Sequence, residues 1–171
     1  QSVRKLLTWK KRQGLFENRQ VHIDSLSSRI SQRDHQLMAD EISRKSLTLI
    51  KNNDEILPIT GSKFPHVMVV SVSDGNDGDA GSSLVAQMRD YHPNISSHVL
   101  DRRTSEKEKK EMMADAKKAD LIVIGSFIYV RSGQEVQLSD EDLAFLQKLH
   151  SKKPSALIAF GNPYVVQDLA S

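Results

Sequence analysis

The chain has 171 residues, 38% of them hydrophobic and 27% charged, with 24 basic against 22 acidic side chains. That length suits one compact domain with a short appendage, and a net charge of +2 provides no basic footprint for nucleic acid. The absence of cysteine excludes a disulfide scaffold, a thiolate zinc site and a thiol nucleophile, and no apolar run approaches the roughly 20 residues that span a bilayer.

The start, Gln1-Ser2-Val3-Arg4-Lys5, has neither an initiator Met nor the apolar stretch of a secretory signal, and is expected to be a boundary within a longer chain or a processed end. From Ser2 to about Gln13, Val3, Leu6, Leu7 and Trp9 recur at helical spacings, and Gly14 supplies a stop. Asn18 to about Ile30 is polar and weakly periodic and reads as a linker. A second helix is predicted over Ser31 to Lys51, with Met38, Ile42 and Leu49 on one stripe. Asn52-Asn53-Asp54 ends it, and Leu57-Pro58 resets the chain to an extended path.

After Pro65 the pattern changes. Val67 to Val72 is rich in β-branched residues without clean alternation, as in a strand buried on both faces. A glycine and aspartate loop, Asp74 to Gly81, leads to a helix capped by Ser82 or Ser83 and carrying Leu84, Val85 and Met88. A short strand follows at Ser97 to Leu100. Ser105 with Glu108 forms a capping box that opens a helix running to about Lys118. Leu121 to Gly125 is the clearest buried strand. Ser139 with Asp142 opens the next helix, in which Leu143, Leu146 and Leu149 form the buried stripe and Leu138 is placed for a hydrophobic staple. The last strand is Ala156 to Phe160, followed by Gly161-Asn162-Pro163-Tyr164. Alternation of this kind calls for an α/β fold: a three-layer α/β/α sandwich with a mainly parallel sheet, flavodoxin-like in general design. Four strands make a thin sheet, and one or two more are expected beyond them.

In open α/β sheets, ligands bind beyond the carboxyl ends of the strands, so three loops are candidates. The first holds Asp74. Its glycines at 75, 78 and 81 do not fit the dinucleotide spacing, and the twelfth position from Asp74 is Val85 where an EF-hand needs Glu. It reads either as a solvated turn into a helix or as an ion or ligand site. The second, Ser126 to Gly133, lacks the G-x-S-x-G elbow, so Ser126 is expected to bond local backbone. Arg131 in that loop either clamps a carboxylate or sugar hydroxyl, or stays on the surface. In the third, Asn162 and Tyr164 either serve a ligand or form a turn in which Pro163 opens a helix. No two histidines are spaced i, i+4, no carboxylate pair can be set across a glycosidic bond, and no cofactor or metal is expected.

Two stretches carry a resemblance. Arg4-Lys5-Leu6-Leu7-Thr8-Trp9-Lys10-Lys11-Arg12-Gln13-Gly14-Leu15-Phe16 resembles the segment "R-I-L-x-x-K-x-x-x-G-L-F" that ends the barrel domain in family 3 glycoside hydrolases. Asp34 to Asn52, followed by Ile56-Leu57-Pro58-Ile59, resembles the helix opening that family's second domain, "A-x-x-I-A-x-x-S-L-x-L-L-K-N … L-P-L". Gly161 to Tyr164 is similar to a segment of the β-N-acetylglucosaminidase branch. The resemblance implies residues 1–30 as the closing helix of a catalytic barrel plus linker, and residues 31–171 as the sandwich domain. It also implies a retaining glycosidase as the parent, a β-N-acetylhexosaminidase first and a β-glucosidase second, releasing terminal β-linked N-acetylglucosamine or a related β-sugar, with the barrel of the same polypeptide as partner and carbohydrate as substrate. A bacterial periplasmic or secreted setting is favoured. No catalytic residue carries over: the aspartate nucleophile and the His–Asp acid/base of the N-acetylglucosaminidase branch lie on the barrel, and the second-domain Glu that serves the glucosidase branch maps onto no Glu of this sequence. Asp74, Arg131, Asn162 and Tyr164 are the candidate substrate contacts. The rival expectation is a stand-alone flavodoxin-like module that binds a small ligand or a protein, for which a barrel's closing helix would have no use.

Overall fold

The structure is a computed structural model that describes residues 1–20, 22–52, 54–75, 77–129 and 139–169. The chain divides into two units, Gln1–Ile50 and Lys51–Ser171.

The first unit begins with α1, Ser2–Arg12, built largely from Leu, Lys and Arg, which are good helix formers. Lys10, Lys11 and Arg12 in its last turn complement the negative end of the helix dipole. Gly14, at φ +69°, ends it: the Gly14 and Leu15 amides donate to the Lys11 and Lys10 carbonyls, both at 3.0 Å. A 3-10 turn at Ile23–Ser25 interrupts the segment expected to be linker. Helix α2 spans Arg33–Ser46, shorter than the predicted Ser31 to Lys51. Leu47 leaves the helix at φ −66°, ψ 124°, and residues 47–50 lie outside any helix or strand. Stiff β-branched Thr48 and Ile50 disfavour another turn, and no residue of α2 is buried to offset that preference. Leu49 therefore does not share a helical stripe with Met38 and Ile42.

The second unit is the layered part. Its strands are β1 (Val67–Ser73), β2 (Ile95–Leu100), β3 (Leu121–Phe127) and β4 (Ser155–Ala159). They form one four-stranded sheet in the order β2-β1-β3-β4, every neighbouring pair parallel. In register, Val67 of β1 lies between Ile95 and Leu121. The helices are α3 (Ser82–Tyr91), α4 (Glu106–Lys118), α5 (Asp140–His150) and α6 (Val165–Leu169). All seven residues of β1 are buried, as its unalternating sequence implied.

Successive strand residues face opposite sides of the sheet and build two cores. Met68, Val70, Val72, Ile122 and Ile124 pack with Met112 and Ala116 of α4, Leu146 and Leu149 of α5, and Val165 of α6. Val67, Val69, Leu121 and Val123 pack with Val85, Leu84 and Met88 of α3 and with Phe64. The result is the expected three-layer α/β/α arrangement. With this strand order, direction reverses between β1 and β3, the place where open α/β sheets form their ligand crevice.

Several local expectations hold. Ser105 accepts from the Glu108 amide while Glu108 reaches back to the Ser105 amide, and Ser139 accepts from the Asp142 amide at 3.1 Å. Others need correction. Neither Ser82 nor Ser83 caps α3; Gly81 occupies that position at φ +83° without a side-chain cap bond. A Cβ at Gly81 would lie 1.8 Å from Ser71 Oγ, so the helix can approach β1 only with glycine there. Strand β2 starts at Ile95, two residues before the predicted Ser97, because Val67 and Met68 supply it with partners. Leu138, and with it the staple, lies outside the described residues.

Candidate functional site

The candidate site is the carboxyl edge of the sheet, where the described residues after β1, β2 and β4 are ordered by short-range bonding. Beyond β1, Ser73 Oγ accepts from the Gly75 amide at 3.1 Å. Asp74 is half-buried at this turn, whereas Asp77 and Asp79 are exposed, and Asp77 Oδ1 accepts from the Asp79 amide at 3.0 Å. Among the described residues no group of three or more His, Asp or Glu is placed to hold a metal ion.

Beyond β2 comes a group that sequence reasoning missed. Asp101 is only 7% exposed and accepts from the Arg103 amide at 2.7 Å and from Arg103 Nε at 3.1 Å. The Arg103 guanidinium, chiefly by hydrogen bonding, holds the Asp101 carboxyl below its usual value. Thr104 closes the turn by accepting from the Asp101 amide at 2.9 Å. Arg102, between them, lies across Gly75, so the β1 and β2 loops touch. The signal that could have found this group was its position immediately after a strand.

Beyond β3 and β4 the edge is aromatic. Phe127 and Phe160 stack with centroids 4.6 Å apart and planes 5° from parallel. A Cβ at Gly161 would sit 2.2 Å from the Ile128 carbonyl oxygen, and the Asn162 amide donates to that same oxygen at 2.8 Å. Asn162 Oδ1 accepts from the Tyr164 amide at 3.1 Å, leaving Tyr164 71% exposed at the start of α6. The Asn162 oxygen is thus engaged in a local turn, and its amide nitrogen is what remains for another group. With Asp74 after β1 and Asn162 after β4, and β3 between them, the two loops stand on the order of 10 Å apart across the sheet. Arg131 lies outside the described residues.

Ser126 does not make the backbone bond expected of it. It is 1% exposed and its Oγ has no hydrogen-bond partner among the described residues. His92 is similar: one ring nitrogen meets the Phe64 carbonyl at 2.7 Å, and buried Nδ1 has no partner among the described residues. Near the same edge, α4 and α5 are tied by Lys109, whose side chain is 11% exposed and lies 3.3 Å from Asp142 and beside Glu141. The Glu141 hydrogen bond is the main reason the Lys109 ammonium is held above its usual value. No helix among the described residues is long and apolar enough to cross a membrane.

No protein-family model matches the chain. By sequence it is 21% identical over 178 residues to a β-N-acetylglucosaminidase/β-glucosidase of Cellulomonas fimi, a weak similarity covering 99% of this chain. The chain spans 32% of that relative's length. Among solved structures it resembles β-glucoside phosphorylase BglX, with a TM-score of 0.66 at 20% identity, over 94% of this chain and 29% of that one. The same enzyme bound to 2FGlc gives a TM-score of 0.68 at 21% identity, over 94% of this chain and 30% of the other. At these identities the structural likeness establishes the α/β fold.

Proposed function

We propose that these residues are a non-catalytic α/β portion of a longer family 3 glycoside hydrolase, one that releases terminal β-linked N-acetylglucosamine. In this reading residues 1–30 close a catalytic barrel and lead out of it, and residues 31–171 form the second domain packed on that barrel. The observation that carries it is the sequence similarity along 99% of the chain to about a third of an enzyme named for this activity. The apolar surface of the first unit supports it, since Leu6 at 58%, Trp9 at 60% and Phe16 at 52% are far more exposed than a self-sufficient module would leave them.

The chemistry belongs to the missing body. A retaining glycosidase needs a carboxylate nucleophile and a group that acts first as acid and then as base, and neither is assigned to this chain. This chain would add the carboxyl-edge loops to the sugar pocket, with Asp74, Arg131, Asn162 and Tyr164 as the proposed contacts. A sugar hydroxyl suits both, since the Asn162 amide nitrogen can donate to it and the exposed Tyr164 hydroxyl can donate or accept.

The test compares two proteins on a chromogenic β-N-acetylglucosaminide. The full-length gene product should turn it over, and residues 1–171 alone should not. Turnover by the short chain that survives re-purification would overturn the reading, as would a gene product no longer than these residues. Because the solved relatives are named as a phosphorylase, the same assay is run with and without inorganic phosphate. Release that depends on phosphate would move the parent to phosphorolysis.

A further inference from the structure

The turn beyond β2 holds a carboxylate that does more than close the turn. Asp101 Oδ1 accepts from the Arg103 amide at 2.7 Å, and the Asp101 amide donates to Thr104 Oγ1 at 2.9 Å, so the turn is complete without Oδ2. Oδ2 instead accepts from Arg103 Nε at 3.1 Å and from Arg103 Nη2. The Asp101 side chain is 6% exposed and that of Arg103 is 62% exposed. A buried carboxylate thus grips one edge of a surface guanidinium and leaves its other end, Nη1 with the second Nη2 hydrogen, as a pair of parallel donors. The group stands at the carboxyl edge, next in sequence to Arg102, whose side chain lies across Gly75 on the β1 loop.

We propose that Arg103 binds the leaving-group sugar of the substrate, its free end donating in parallel to two neighbouring hydroxyls of a neutral ring, with Asp101 as its positioning residue. This rests on the reading above and names the part of the substrate that the β2 loop recognises. In that reading both reacting groups belong to the missing body, so that body holds the sugar being released. The leaving group is then what extends toward the loops of a second body. Charge points to hydroxyls over an anion: Arg103 is already balanced by the Asp101 carboxylate, which repels a second anion while leaving the N–H directions unchanged. Geometry agrees, since the end of a guanidinium is a planar fork of fixed spacing that suits two oxygens on adjacent carbons. Holding the fork through Oδ2 also removes side-chain freedom that an untethered arginine would lose on binding.

The experiment uses the full-length gene product and two β-N-acetylglucosaminides, one with glucose as leaving group and one with nitrophenol, which has no neighbouring hydroxyls. Arg103→Ala should lower kcat/KM for the disaccharide about tenfold more than for the nitrophenyl glycoside, through KM more than kcat. Arg103→Lys should not rescue it, because a point charge lacks the fork. Asp101→Asn keeps an Oδ1 acceptor for the turn and should move the same ratio in the same direction by a smaller factor. Equal losses on both substrates, no loss on either, or full rescue by lysine overturns the proposal. An effect confined to the phosphate dependence assigns the fork to an anion and also overturns it. In each of these cases the reading beneath stands as long as the unsubstituted protein turns over the nitrophenyl glycoside. If that protein turns over neither substrate, the reading fails and the proposal with it.

Discussion

Gly81 is where the layered fold is most exposed to a single atom. Alanine there has two separate costs. At φ +83° the left-handed region disfavours any Cβ by about 1–2 kcal/mol. The new Cβ would also stand 1.8 Å from Ser71 Oγ and 2.4 Å from Ser71 Cβ, both on a buried central strand, and overpacking of that kind costs about 1–3 kcal/mol. Gly81→Ala is therefore expected to lower unfolding stability by about 2–5 kcal/mol, read from urea titrations followed by far-UV circular dichroism. The two costs can be separated. Ser71→Ala in the same chain removes Oγ but keeps the Cβ contact, so it should restore little. Ser71→Gly removes both atoms and should show a coupling of about 1–3 kcal/mol with Gly81→Ala in a double-mutant cycle. Gly81→Ala within about 0.5 kcal/mol of the parent chain would refute the argument, because strand and helix would then not meet as closely as described.

Two further predictions concern buried and charged groups. Ser126→Ala removes a buried hydroxyl that has no hydrogen-bond partner among the described residues, so stability should hold or rise by up to about 1 kcal/mol; a loss of that size would show that the hydroxyl is bonded after all. Asp101, Asp115 and Glu108 all have carboxyls held below their usual values, chiefly by hydrogen bonds from Arg103, His98 and Ser105 respectively. Depressed carboxylates contribute stability that is complete above their unfolded values and disappears as pH falls through the folded ones. The urea midpoint should thus stay level down to about pH 5 and fall below about pH 4, with a shallower fall for Asp101→Asn. A midpoint indifferent to acid down to about pH 2 would refute those assignments.

Local chemistry made much of the fold legible. Helix starts at Ser105 and Ser139 were readable because a cap is a contact between a side chain and an amide three residues away. The apolar cores of β1 and β3 were readable because a strand buried on both faces has no polar position to alternate with. Features that depend on a distant neighbour were not. Local capping preference points to serine at the start of α3, whereas Gly81 is imposed by Ser71 on another element. Helix α2 ends at Ser46 although the apolar spacing runs on, because spacing alone supplies no partner to bury the stripe. At the site, Asn162 was legible as a polar residue after a strand, but not the engagement of its oxygen with the Tyr164 amide. Asp101 looked like any loop aspartate until Arg103 folded back on it.

The amino-acid sequence by itself determined the alternation of strand and helix, the burial of β1 and β3, and the absence of thiol chemistry, since each depends on residue type and near spacing. Tertiary structure alone decided the strand order β2-β1-β3-β4, which loops share the carboxyl edge, and which polar atoms are left without partners. The reason is physical: those outcomes depend on pairings between residues far apart in the chain, and nothing in a local pattern encodes the partner.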